Sequence, residues 1–99
     1  MNTISAISLS GMNAAQTRMQ AAAHNIANLN TPVFKRLEVT QNTLAEGGTR
    51  AEIVRTESAG ANLEADMVQQ LLARNSFLSN LLVFKSSEAV LGSLLDITA

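Results

Sequence analysis

The chain has 99 residues, 46% of them hydrophobic but only 3% aromatic, with no Cys, Trp or Tyr and a net charge of −1. That makes one small domain at most, without the rings for a large interlocking core and without the basic surplus that nucleic acid or anionic lipid would require. So much Ala, Leu, Val and Ile in a short chain suggests that burial is completed between subunits, and the absence of thiols excludes a disulfide framework.

Met1-Asn2-Thr3-Ile4-Ser5 lacks the basic region of a cleavable secretory signal. No stretch approaches the roughly 18 apolar residues of a membrane span. From about Ile4 to Asn28 the pattern is helical. At about 100° per residue, Ile4, Ala15, Met19, Ala22, Ala23, Ile26 and Leu29 share a narrow, Ala-rich stripe, with Met12 beside them. Asn2 or Thr3 is a candidate cap at the start. Gly11, unfavourable in a helix interior, marks a bend or a close contact. The other face carries the neutral polar residues Asn13, Gln16, Thr17, Gln20 and His24, and Arg18 is the only formal charge before Lys35. Such a face suits a tightly packed, hydrogen-bonded assembly better than a helix standing in water.

Asn25, Asn28 and Asn30 sit where this helix should run out, because Asn competes for backbone hydrogen bonds and tolerates the left-handed conformation. Pro32 cannot continue a helix and biases Thr31 toward extended backbone. The segment therefore converts a helix into an extended exit. Residues 33–58 then read as a small β-hairpin or irregular ribbon. Leu37-Glu38-Val39-Thr40 and Ala51-Glu52-Ile53 alternate, Val54 breaks the register, and Gly47-Gly48 supply the turn. The charges of the ribbon, Lys35, Arg36, Arg50 and Arg55 against Glu38, Glu46, Glu52 and Glu57, balance as on a solvated connector. Ser58-Ala59-Gly60-Ala61-Asn62 is a linker, with Asn62 a cap for the next helix and Glu64 and Asp66 favourable in its first turn.

From Leu63 to about Leu95 runs the strongest helical pattern. One stripe holds Leu63, Met67, Leu71, Leu78, Leu81, Leu82 and Ala89; a second holds Phe77, Phe84, Leu91 and Leu95. Together they exceed what one partner helix can cover. The expectation is that the Leu81-Leu82 stripe holds the first helix while the Phe77-Phe84 stripe serves assembly. Nothing catalytic emerges. The acidic groups are scattered, Ser and Thr lack an adjacent base, no Gly-rich phosphate loop precedes a helix, and His24 has no second metal-ligand partner at suitable spacing. No cofactor or metal is expected, and an enzyme reading has little support.

The run Asn25-Ile26-Ala27-Asn28-Leu29-Asn30-Thr31-Pro32-Val33-Phe34-Lys35-Arg36 closely resembles the N-terminal signature of the flagellar axial proteins, nearest to the proximal rod proteins. In that family an Asn-Ile-Ala-Asn-x-Asn-Thr run is followed by a glycine, an aromatic and a lysine. Val33 stands where the glycine usually does, and Val resists the positive φ that glycine permits. Leu63-Glu64-Ala65-Asp66-Met67-Val68, Phe77-Leu78-Ser79-Asn80-Leu81 and Leu91-Gly92-Ser93-Leu94-Leu95-Asp96-Ile97 are similar to the family's C-terminal helix. Both ends match, and the middle is reduced to a short connector.

The fold expected is mainly α: an elongated antiparallel helical hairpin or coiled coil, with residues 1–32 as the first helix, 33–62 as a ribbon and linker at the far end, and 63–99 as the second helix. The two helices would form one discontinuous domain. The resemblance implies a structural subunit of the flagellar basal-body rod, exported by the type III apparatus without a cleaved signal and standing in the periplasm. Its partners would be itself, other axial proteins and the export apparatus. Asn25, Ile26, Ala27, Asn28, Asn30, Thr31, Phe34 and Lys35 would form the assembly motif. Ile4, Met12, Met19, Ile26, Met67, Leu71, Phe77, Leu78, Leu81, Leu82, Phe84, Leu91 and Leu95 would pack the helices or their interfaces. The alternative is a non-flagellar or paralogous helical self-association or adaptor module that reuses the axial-protein ends.

Overall fold

The computed structural model describes residues 3–57 and 59–98. It consists of α1 (Thr3–Ala27), β1 (Leu37–Thr43), β2 (Thr49–Arg55) and α2 (Leu63–Thr98). The two long helices are antiparallel with the hairpin between them in sequence, and the molecule extends 62 × 24 × 14 Å. Asn2, one candidate cap of α1, and Ser58 of the linker lie outside the described residues. The cap of α2 is as expected: the Asn62 side chain accepts from the Ala65 N–H at 3.1 Å and its carbonyl from the Asp66 N–H.

α1 is the central element and has two packed faces. Ser5, Ser8, Met12, Ala15, Met19 and Ala22 form a seam stepping by three and four residues, all of them buried except half-buried Met19. On α2 the buried or half-buried Asp66, Gln70, Ala73, Phe77, Asn80, Phe84, Ser87 and Leu91 step in the same way, with half-buried Ala65, Leu81 and Glu88 beside them. This is the 3.5-residue period of an antiparallel coiled coil. Ser5 meets Ser87 and Glu88, Gly11 meets Asn80, and Asn25 meets Asp66. That register places Phe84 across from Ser8 and Phe77 across from Ala15, large against small.

Three expectations need correction here. Ile4 is 58% exposed, and the seam passes instead through Ser5 and Ser8; a stripe drawn at 3.6 residues per turn drifts about 20° per heptad from a 3.5-residue seam. Leu82 is 68% exposed, whereas Phe77 and Phe84 are half-buried along the line that meets α1. Leu81 is half-buried too, but Leu63, Met67, Leu71 and Leu78 of its stripe are exposed with Leu82, so the expected division of the α2 stripes does not hold: the inner face is marked by small and polar residues that a count of leucines overlooks.

The hairpin, finally, does not stand at the far end. It folds back along the second face of α1, formed around Ala14, Ala21 and Asn25. β1 and β2 pair antiparallel from Leu37↔Arg55 to Thr43↔Thr49. Leu37, Val39, Thr49 and Ala51 are the half-buried positions of the strands. The Thr49 N–H donates to Ser10 Oγ at 3.1 Å. The turn needs both its glycines. Gly47 and Gly48 have φ of 91° and 94°, and a Cβ on Gly48 would lie 2.7 Å from Ser10 Oγ.

Candidate functional site

α1 ends where the asparagines begin. The Asn28 N–H donates to the His24 carbonyl at 3.1 Å, the Asn28 side chain donates to the same carbonyl, and Thr31 Oγ1 donates to Asn28 Oδ1. The chain then winds through turns as far as Val33, whose φ is 52°. This β-branched residue adopts the left-handed conformation, and at 86% exposure nothing packs over it. Phe34 follows, tilted at 58° against the His24 ring with centroids 5.4 Å apart, while the Arg55 guanidinium lies 5.7 Å from its centroid.

Asn25 organises what comes next. It is buried on α1, and its carboxamide reaches the first residue of β1: Oδ1 accepts from the Leu37 N–H at 2.7 Å and Nδ2 donates to the Leu37 carbonyl at 2.8 Å. The second Nδ2 hydrogen goes to Asp66 Oδ1 at 3.1 Å, in the first turn of α2. Asp66 is 3% exposed and receives two donors from Arg36, Nε and Nη2. The hydrogen bond to Asp66 raises the Arg36 pKa above its ordinary value, against the opposing effect of desolvation, with smaller help from the charges of Asp66 and Glu38. The guanidinium thus remains charged at any ordinary pH, and the pair is satisfied as a buried pair must be. One residue from each of α1, the strand entry and α2 is locked in a single clamp.

Of the motif residues, Asn25 is in the clamp, Asn28 and Thr31 close the helix, Phe34 packs on His24, and Ile26 is half-buried beside the seam. Ala27, Asn30 and Lys35 are exposed. Arg36 and Asp66 are the residues that sequence reasoning missed. Arg36 counted among the balanced charges of a solvated ribbon, but its side chain is only 17% exposed. Asp66 had been explained by the helix dipole alone. A second structural group lies at the other end, where Ser5 Oγ donates to Glu88 Oε1 at 2.6 Å.

Among the described residues, no group of three or more His, Cys, Asp or Glu side chains is placed to hold a metal ion. No helix among them is long and apolar enough to cross a membrane. What the geometry defines is an elongated helical hairpin with a clamped helix exit. Residues 7–35 match the model of the family described as flagella basal body rod protein. That match takes in α1 from Ile7 and the exit as far as Lys35, and supports the axial-protein resemblance and, in general terms, a structural role in the flagellar rod. No curated protein matches the chain.

Proposed function

We propose that the chain is a structural subunit of the flagellar basal-body rod that assembles through its two terminal helices, acting as one discontinuous unit. The observation that carries this reading is the apolar surface of α2 that α1 leaves uncovered. Met67, Val68, Leu71, Leu72, Leu82, Val90, Leu94 and Leu95 are all exposed. Because Ser5 lies level with Ser87 and Glu88, α2 continues for roughly two further turns beyond the start of α1. Ile4, Leu82, Val83, Val90, Leu91 and Leu94 line an apolar groove of about 460 Å³ at this overhang. An apolar surface of this kind marks an interaction site. In the rod, the helices would form the inner layer, and Asn25 to Lys35 would direct the chain outward to meet other axial proteins. Export through the type III apparatus as an unfolded chain and a periplasmic position follow from the same reading.

Concentration is the lever that tests it. The first helix has an Ala-rich seam and few charge pairs, so in isolation it is marginal. Far-UV circular dichroism and sedimentation velocity across a dilution series should show helix content and mass rising together. A dilute, demonstrably monomeric sample with a fully protected α1 in hydrogen exchange would defeat the proposal. The adaptor reading retains one observation in its favour: the family match ends at residue 35 and leaves α2 outside it. Deletion of the gene separates the two, since loss of motility with a basal-body defect supports the rod and unaltered motility supports the adaptor.

A further inference from the structure

β1 has one edge paired to β2 and one edge that β2 does not use, which begins along a groove between α1 and α2. The Thr56 N–H donates to the Arg36 carbonyl and the Leu44 N–H to the Gly48 carbonyl. With the observed register, the even-numbered residues of β1 therefore bond to β2, and Leu37, Val39 and Gln41 direct their main-chain groups to the other side. Asn25 occupies those of Leu37 from α1. Among the described residues, the edge groups of Val39 and Gln41 have no such partner. Val39 lines a groove of about 380 Å³ with Ala21 and Ala22 of α1 as floor and Ala65, Asp66 and Gln69 of α2 as the far wall, and Gln41 follows beside Arg18. The clamp closes one end of the groove, and Arg18 spans the other, donating to Gln41 Oε1 at 2.8 Å and to Gln69 Oε1 at 3.3 Å.

We propose that this edge is a β-augmentation site for an extended segment of a different protein that carries a carboxylate side chain. An incoming strand would take up the Val39 and Gln41 main-chain groups, continuing the ladder that the Asn25 amide begins. The carboxylate belongs at the Arg18 end. Among the described residues, Arg18 has only neutral amides as partners and no carboxylate within ion-pair distance, whereas Asp66 and Glu38, at the clamp end, both answer Arg36. A second copy of this chain is the poorer occupant. Its extended stretches are tied internally, Arg36 to Thr56 and Phe34 to Gly60.

The test uses the full chain, at a concentration where circular dichroism shows its full helix content, and the peptide acetyl-Thr-Val-Glu-Val-Thr-amide as probe. In ¹⁵N-resolved NMR the peptide should shift the Val39 and Gln41 amides saturably. Replacing the peptide's Glu by Gln should weaken binding at least fivefold, and by Lys further. Arg18→Gln should weaken the Glu peptide to the level of the Gln peptide, with partial recovery in Arg18→Lys. Val39→Pro removes an edge donor that β2 does not use, and should abolish binding with the helices intact; should that variant fail to fold, N-methylation of the peptide backbone must abolish binding instead. The proposal is overturned if neither amide responds, if the Lys peptide binds equally well, or if backbone blockade has no effect. It is overturned too if, over a concentration range in which helix content stays constant, the amides of Val39 and Gln41 shift selectively in the absence of peptide, since the occupant would then be a second copy.

Discussion

Asn25 and Leu37 face each other as two members of a β-ladder would, although Asn25 belongs to a helix: its amide oxygen and nitrogen lie 2.7 and 2.8 Å from the Leu37 nitrogen and oxygen. The helix exit is thereby attached to the first strand by a side chain that imitates a peptide unit.

Asn25→Ala leaves the half-buried N–H and carbonyl of Leu37 without partners and removes one of the two donors to Asp66 Oδ1, which should lower stability by about 2–4 kcal/mol. Asn25→Asp sets a second carboxylate beside Asp66 and should do worse. The midpoint of urea denaturation checks both, and an Asn25→Ala midpoint equal to that of the parent would show that the clamp contributes nothing.

Val33→Gly should stabilise the protein. A left-handed conformation at a residue with a Cβ costs about 1–2 kcal/mol, and glycine returns part of that through its greater unfolded-state entropy. The expected net gain is about 0.5–1 kcal/mol, read as a higher urea midpoint. Val33→Ala should give less, and a lower midpoint for Val33→Gly would refute the argument.

Phe77→Ala and Phe84→Ala should each reduce hairpin stability by about 1–2 kcal/mol, the lower part of the range for an apolar side chain because the rings are half-buried. Leu82→Ala should leave unfolding of the monomer nearly unchanged while weakening self-association in sedimentation. Equal effects of Phe84→Ala and Leu82→Ala on monomer unfolding would contradict the observed seam.

Gly11 tests the close approach of the helices. A Cβ there would lie 2.7 Å from the Asn80 carboxamide, so the helix-propensity gain of about 1 kcal/mol for Gly→Ala should be offset. Gly11→Ala combined with Asn80→Ala should recover that gain. A thermodynamic cycle of the two single variants and the double variant measures the coupling, which should be absent if the helices are farther apart.

These residues also mark what the sequence made legible. Both helix spans, the Asn62 cap and the Gly47-Gly48 turn follow from local chemistry, and all were expected close to where they occur. Each rests on a few adjacent residues whose conformational preferences agree. The clamp was not legible, since Asn25, Arg36 and Asp66 come from three segments and each has a sufficient local explanation: a helix end, a solvated ribbon, a helix dipole. The coiled-coil seam was misjudged for a related reason. Ser5, Ser8, Asn80 and Ser87 are buried or half-buried by pairing and close approach, which hydropathy does not register. Val33 was recognisable as an unusual residue at a glycine position, but only the backbone showed that it takes the glycine conformation.

The clamp lies at the end of the molecule where the chain reverses, and the start of α1 and the last turns of α2 lie towards the other end. A rod pinned at one end behaves like a pair of tongs, with the Asn25–Asp66–Arg36 lock as the pivot and the open ends as jaws. Its weakest motion should be separation of Thr3 and the residues after it from the stretch of α2 around Ser87 and Glu88, which breaks the Ser5–Glu88 contact but none of the bonds at the pivot. Amide protection should therefore decline steadily from Ala22 back toward Thr3. Such a gradient would let the jaws part and close again on a neighbour's helix while the turn and the hairpin keep their shape.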